Sequence, residues 1–279
     1  MKKSFPIFIL GPLAALIGLG IFIACVTNPL TGKRTMAFVD NSQLFPSSFQ
    51  QYQEFIGQST VVSGTAEARL VEKVGTRIRG AAERWLDAET AGDYLRDYQW
   101  EYHLVRDDQV NAWCMPGGKI VVYTGILPVT ATEAGLATVM GHEVAHALLN
   151  HSQQRMSAGM LQQIGAAGLS VLTMNRSEET QALAMTLYGA GSEIFGTLPF
   201  SRGHESEADR IGLILMAMAG YNPDESVPFW ERMSGLGGGG IPQFLSTHPS
   251  HETRIKDLQG WIPEARAKAL EFGVSLSSR

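Results

Sequence analysis

Apolar positions along this chain change period several times, and each change marks an element. From Gly64 to about Thr90, Ala66, Leu70, Val74, Ile78, Ala81 and Trp85 recur three or four residues apart, which predicts a helix with one buried stripe. Tyr98 to Val105 and Lys119 to Tyr123 are β-branched and aromatic runs separated by Met115-Pro116-Gly117-Gly118, and they predict strands joined through a turn into a small antiparallel sheet. From Thr130 onward the helical period returns almost to the end, with a cap-like Thr130-Ala131-Thr132-Glu133 start. The expected fold class is α+β, predominantly α, the sheet lying beside the helix that follows Thr130.

The first residues carry a different signal. Lys2 and Lys3 precede an apolar stretch from Phe5 to Ala24, the layout of a secretory signal. The stretch closes on Phe22-Ile23-Ala24-Cys25, which resembles a bacterial lipobox with Cys25 as the lipidated residue; an uncleaved anchor competes with that reading, since about 20 apolar residues also cross a bilayer. Val26 stands where an inner-membrane retention signal often places aspartate, so the expected location is the periplasmic side of the outer membrane, lipid-anchored. The expected division is a signal peptide at 1–24, a lipidated tether at 25–40 and one folded domain at 41–279. Within the tether, Thr27 to Lys33 is turn-rich and polar and is expected to be exposed. With Cys25 lipidated, Cys114 is the one remaining thiol and no internal disulfide is expected.

Composition narrows the function classes. The 279 residues are 44% hydrophobic and 18% charged, enough to bury a core. A net charge of −5 with no basic runs excludes a nucleic-acid surface. Between Arg155 and Arg176 there is no charged residue; Ser157, Gln162, Gln163 and Ser170 interrupt the stretch, which is read as a helical hairpin packed over the core, with membrane spans in the Gln153 to Pro199 region as the competing reading. Gly235 and Gly237 to Gly240 predict a mobile loop.

Chemistry concentrates at Gly141-His142-Glu143-Val144-Ala145-His146. Residues four apart project from the same helix face, so His142 and His146 can grip one metal ion while Glu143, beside it, can take a proton from the attacking water. Apolar Leu136, Val139, Met140, Ala147 and Leu148 place the motif on an amphipathic helix, and Gly141 admits close packing. A catalytic zinc needs a third protein ligand. The helix opened by Ser201-Arg202-Gly203-His204-Glu205-Ser206-Glu207-Ala208-Asp209, with Ile211, Leu215 and Met218 buried and Gly220 as its stop, puts Glu205 and Asp209 on one face and Glu207 on another. Glu205 is read as the ligand and Asp209 as the acceptor that orients a ligand histidine; a charged, solvated helix start is the alternative.

HExxH followed by a distant ExxAD resembles the gluzincin metallopeptidases of family forty-eight, among them bacterial periplasmic proteases. Asn111-Ala112-Trp113-Cys114-Met115-Pro116-Gly117-Gly118 and Ser246-Thr247-His248-Pro249 with Arg254 and Ile255 are also similar, so the likeness runs from about Gly64 to Leu258. It implies a zincin-like peptidase with one Zn²⁺ per chain on His142, His146 and Glu205, Glu143 as the base, and Asp209 in support. His248 is implied either to approach the metal and hold the enzyme shut or to polarise substrate; capping a local turn is the alternative. Cys114 departs from the small or apolar residues usual there, and no tetratricopeptide array follows Leu258, which points to a stand-alone protease.

The implied function is a zinc endopeptidase of the bacterial cell envelope that degrades misfolded or misassembled proteins, its hairpin and glycine loop placed to cover the cleft. A zinc-containing, non-catalytic chaperone or assembly factor is the alternative. Substrate is expected to pair along Lys119 to Tyr123 as an exposed strand.

Overall fold

A computed structural model describes residues 25–192, 198–236, 242–248 and 253–277, with no side chain described for 198–200. The apolar leader at 1–24 and Gly237 to Gly240 lie outside the described residues.

The predicted stripe forms helix α2 (Ala66–Ala88), capped by Thr65, whose hydroxyl accepts from Ala68 N at 3.1 Å. Val74, Ile78, Ala81 and Trp85 are buried as expected, Leu70 is half-buried and Ala66, in the first turn, is exposed. Before it, helix α1 (Asn41–Gln58) was not legible: its polar-rich pattern hides the buried Phe45, Ser48 and Tyr52.

Four strands make the main sheet, β3 (Val61–Val62), β4 (Glu101–Val105), β5 (Ala112–Met115) and β6 (Lys119–Tyr123), in the order β3-β4-β6-β5. Its outer pairings are antiparallel, while β4 and β6 run parallel with Tyr102 opposite Ile120. The turn at Met115 to Gly118 therefore joins β6 to β5 and not to β4. Gly117 and Gly118 have φ of +87° and +90°, which glycine alone adopts at no steric cost. Two consequences correct the expectations. The unforeseen β5, with Cys114 opposite Ile120, is one edge and the short β3 the other; β6 lies inside the sheet with all five residues buried and cannot receive a substrate strand.

The N-terminal segment is also not a loose tether. Strand β1 (Cys25–Thr27) pairs antiparallel with β2 (Arg34–Met36), and Asn28 between them is buried, its Nδ2 donating to Leu148 O at 2.8 Å. Tyr94 Oη donates to the same carbonyl at 2.7 Å, so the polar turn docks on a hydrogen-bonded helix end.

That core helix is α4 (Glu133–Leu148). Its cap is Thr132, which accepts from Gly135 N at 2.9 Å; Thr130 instead closes the preceding short helix α3 (Leu127–Thr130). Every residue from Gly135 to Leu148 is buried, so α4 is a central helix and not the amphipathic one expected. It packs against α2, β5 and α7 (Leu198–Met218), which ends at Gly220 with φ +85°. Ile211, Leu215 and Met218 are buried there, as read from the sequence. Helices α8 (Ser226–Gly235), α9 (Gln243–Thr247) and α10 (Arg254–Glu271) complete the layer.

Helices α5 (His151–Thr173) and α6 (Glu178–Ser192) form the expected hairpin, pinned by Tyr188 donating to Gln162 O. Only His151, Gln153, Gln154 and Ser157 pack on the core, and α6 has no buried residue. The hairpin thus stands off the body, exposing Ile164, Val171 and Leu172, and absence of charge did not translate into burial. Among the described residues no helix is long and apolar enough to cross a membrane.

Candidate metal centre

The site forms where α4 crosses α7. The crossing is close because neither helix has a side chain at the contact: a Cβ on Gly141 would lie 2.7 Å from Gly212 O, and one on Gly212 would lie 2.7 Å from His142 N. Beside that point, His142 and His146 on α4 face Glu205, about two turns before Gly212 on α7. His248, capping α9, completes the set.

Donor separations measure how well these groups fit a metal. His142 Nε2 lies 3.1 Å from His146 Nε2, 3.4 Å from Glu205 Oε2 and 3.3 Å from His248 Nδ1. Glu205 Oε1 lies 3.3 Å from His146 Nε2 and 3.1 Å from His248 Nδ1. Ligands about 2.0–2.1 Å from one metal lie about 3.3–3.4 Å apart in a tetrahedron, and these separations are of that size; Glu205 turns Oε2 toward His142 and Oε1 toward His146 and His248, and one donor atom from each of the four residues lies within 4.8 Å of the others. Two imidazoles, a carboxylate and a third imidazole are also the donor chemistry zinc takes at neutral pH. His248 stands beside the other three donors and also caps α9 through its backbone N–H, which donates to Phe244 O at 2.8 Å.

Electrostatics agree with a site built for a cation. Burial opposes ionisation of Glu205, yet hydrogen bonds from His142, His146 and His248 hold its carboxyl far below the ordinary range. Burial alone would lower the His142 ring; hydrogen bonds to Asp209 and Glu205 and their charges outweigh it and push the ring up to about 9, the mark of a pocket that favours positive charge. Burial drives His146 well below its ordinary value, leaving it a neutral donor.

Asp209 sits where the sequence placed it. His142 Nδ1 is 2.9 Å from Asp209 Oδ1, and since a carboxylate only accepts, that nitrogen carries the proton and leaves Nε2 as a lone-pair donor. Glu143 is buried beside the set; its Oε1 has no hydrogen-bond partner, with His248 Nε2 3.4 Å away.

Three contributors escaped sequence reasoning. Arg254 is buried, donates through Nη2 to Asp209 Oδ1 at 2.7 Å and stacks 3.4 Å over the Trp230 ring. His151 lies 2.8 Å from His146, and Glu207 reaches His151 instead of solvent, its carboxyl held down to about 2 by His151 and Lys33 against the effect of burial. The signal available was proximity: His151 follows His146 by five residues. Cys25, the expected lipidation site, opens β1 half-buried, and neither it nor Cys114 forms a disulfide.

The sequence model of peptidase family M48 matches residues 77–262. Mitochondrial metalloendopeptidase OMA1 of Schizosaccharomyces pombe is 39% identical over 180 residues, covering 62% of this chain and 50% of that protein. Its Homo sapiens counterpart is 34% identical over 179 residues, covering 61% and 34%. The β-barrel assembly-enhancing protease of Escherichia coli is 28% identical over 178 residues, covering 62% and 36%. The chain thus spans about half or less of these relatives. Their names overturn the expected lipid-anchored place on the periplasmic side of the outer membrane, because the higher identities belong to mitochondrial proteins. A family model spanning two thirds of the chain, over the very residues that converge on one tetrahedral donor set, leaves a single assignment: the chain belongs to peptidase family M48.

Proposed function

We propose that the chain is a zinc-dependent endopeptidase acting on unfolded or misassembled proteins. The observation that carries this reading is Glu143, a buried carboxylate whose Oε1 accepts no hydrogen bond and faces His248 Nε2 at 3.4 Å, beside a four-residue set of metal donors. A structural zinc site has no use for such a base.

In this reading His142, His146 and Glu205 hold the ion, with Asp209 and Arg254 keeping His142 in the binding tautomer. Zinc, when bound, supplies Lewis acidity that makes water nucleophilic at neutral pH and polarises the scissile carbonyl. Glu143 takes the proton of the attacking water and delivers it to the leaving amine. An extended substrate pairs along the outer edge of β5, which has no strand partner among the described residues and packs against α4. Backbone pairing reads little sequence, which suits unfolded clients.

His248 occupies the corner that substrate and water need, so the described state is closed. It withdraws when substrate enters. The closed corner is also what favours the non-catalytic chaperone reading. Zinc content and casein cleavage by the purified chain separate the two. Wild type should hold one zinc and cut, Glu143→Gln should keep zinc while kcat falls about 10²–10⁴-fold, and Glu205→Gln should lose zinc. His248→Ala should cut faster than wild type. Equal cleavage by Glu143→Gln refutes the mechanism, and zinc binding without cleavage in wild type and His248→Ala favours the chaperone.

A further inference from the structure

His151 is fully buried and has no part in the chemistry above. It starts α5 directly after Asn150, whose φ of +54° breaks the chain out of α4; asparagine tolerates this left-handed conformation better than most residues. The break swings the His151 ring back against α4, edge-on to His146 with ring centroids 4.8 Å apart at 74°. The two Nδ1 atoms meet at 2.8 Å.

Two facing ring nitrogens at that distance share one hydrogen, so one donates and the other accepts. His146 turns Nε2 toward His142 and Glu205, and a lone pair there requires its hydrogen on Nδ1. His146 is thus the donor and His151 Nδ1 the acceptor. The His151 hydrogen then sits on Nε2, which lies 3.4 Å from Glu207 Oε2. Lys33 approaches Glu207 Oε1 at 2.8 Å from the N-terminal hairpin. The ring plane of His151 is set by His204, stacked at 4.0 Å and 11°, which donates through Nε2 to Gln154 Oε1 at 3.0 Å.

We infer that His151 is a positioning residue for His146, holding it through the Nδ1 contact in the one tautomer and orientation that can ligate, with Glu207 holding His151 in turn. The inference rests on the metal-binding reading proposed above. His142 is held by a carboxylate directly; His146 is held by a neutral imidazole with a carboxylate behind it. An outer partner of this kind typically governs metal affinity about 10–100-fold.

The test uses the full chain with zinc alone as ligand, its Kd read by chelator competition and folding read by melting of the metal-free protein. His151→Phe keeps a ring against His204 but cannot accept, and should weaken zinc binding about 10–100-fold. His151→Asn presents Oδ1 near the position of Nδ1 and should recover most of that loss. In the zinc-loaded wild type, ¹⁵N chemical shifts should place the hydrogen of His146 on Nδ1 and that of His151 on Nε2. Wild-type affinity in His151→Phe, equal losses in both variants that follow their melting temperatures, or a hydrogen on Nδ1 of His151 would overturn the relay. If wild type fails to bind zinc, or His146→Ala binds as well as wild type, the metal-binding reading itself falls, an outcome distinct from those.

Discussion

Replacing Gly141 by alanine tests whether the close crossing of α4 and α7 builds the metal centre. The added Cβ would lie 2.7 Å from Gly212 O, a backbone atom that cannot rotate away, while ordinary contact begins at 3.4 Å. The helices must therefore separate by about 0.7 Å, and overpacking of this kind costs about 1–3 kcal/mol. In a chain of this size that lowers Tm by roughly 2–12 °C. The shift also moves Glu205 away from His142 and His146, and metal–ligand bonds tolerate only about 0.2 Å. Zinc affinity should fall more than the stability loss alone accounts for. Differential scanning calorimetry of the metal-free chain and chelator competition with the loaded chain measure the two effects separately. Gly212→Ala, which meets His142 N at 2.7 Å, should behave alike. A Gly141→Ala protein with unchanged Tm and unchanged zinc affinity would refute the claim that this contact sets the ligand geometry.

Chelation should lower Tm, since zinc at about a thousandfold over its Kd contributes about 4 kcal/mol to the folded state; a Tm indifferent to chelator and to added zinc would refute the site. Asp209→Asn leaves the buried Arg254 with Glu205, 3.5 Å away, as its remaining carboxylate and should destabilise the chain by about 1.5–3 kcal/mol while weakening zinc binding, both measurable by urea titration with and without metal. Asn28→Ala removes one of two donors to Leu148 O, Tyr94 being the other, and should cost about 0.5–1.5 kcal/mol, with limited proteolysis opening first in the 25–36 hairpin. Glu133 titrates below its ordinary range because Lys73 and Tyr221 outweigh burial, so its contribution is present above the unfolded carboxyl value and lost as pH falls through the folded one. Glu133→Gln should therefore cost about 0.2–1 kcal/mol at pH 7, and the cost should vanish as pH falls below the folded carboxyl value; a gap that does not shrink in acid denaturation curves contradicts this.

The local parts of this protein were legible from its sequence. His142 and His146 share a face because four residues make just over one turn, and the α2 stripe and the Gly220 stop are equally short-range. Glu205 and Asp209 were legible as a pair for the same reason. Patterns spanning one or two turns are set by backbone geometry, which every sequence shares.

Tertiary structure decided whatever depends on neighbours distant in sequence. No periodicity shows that β4 pairs parallel with β6, because a run of buried β-branched residues reads alike in either orientation, and so the edge strand was misplaced. The exposure of the α5–α6 hairpin was hidden too, since low charge describes what a segment lacks and not what packs on it. Docking of the N-terminal hairpin depends on Asn28 reaching a carbonyl 120 residues away and on Lys33 meeting Glu207 of α7. Arg254 meets Asp209 across 45 residues, and Glu207 meets His151 across 56. His151 sits five residues from His146, a spacing that on a continuous helix would point it elsewhere; only the left-handed turn at Asn150 brings the two rings together. The ligands of the metal follow from helix geometry, while what holds those ligands in place follows from how the helices cross and end.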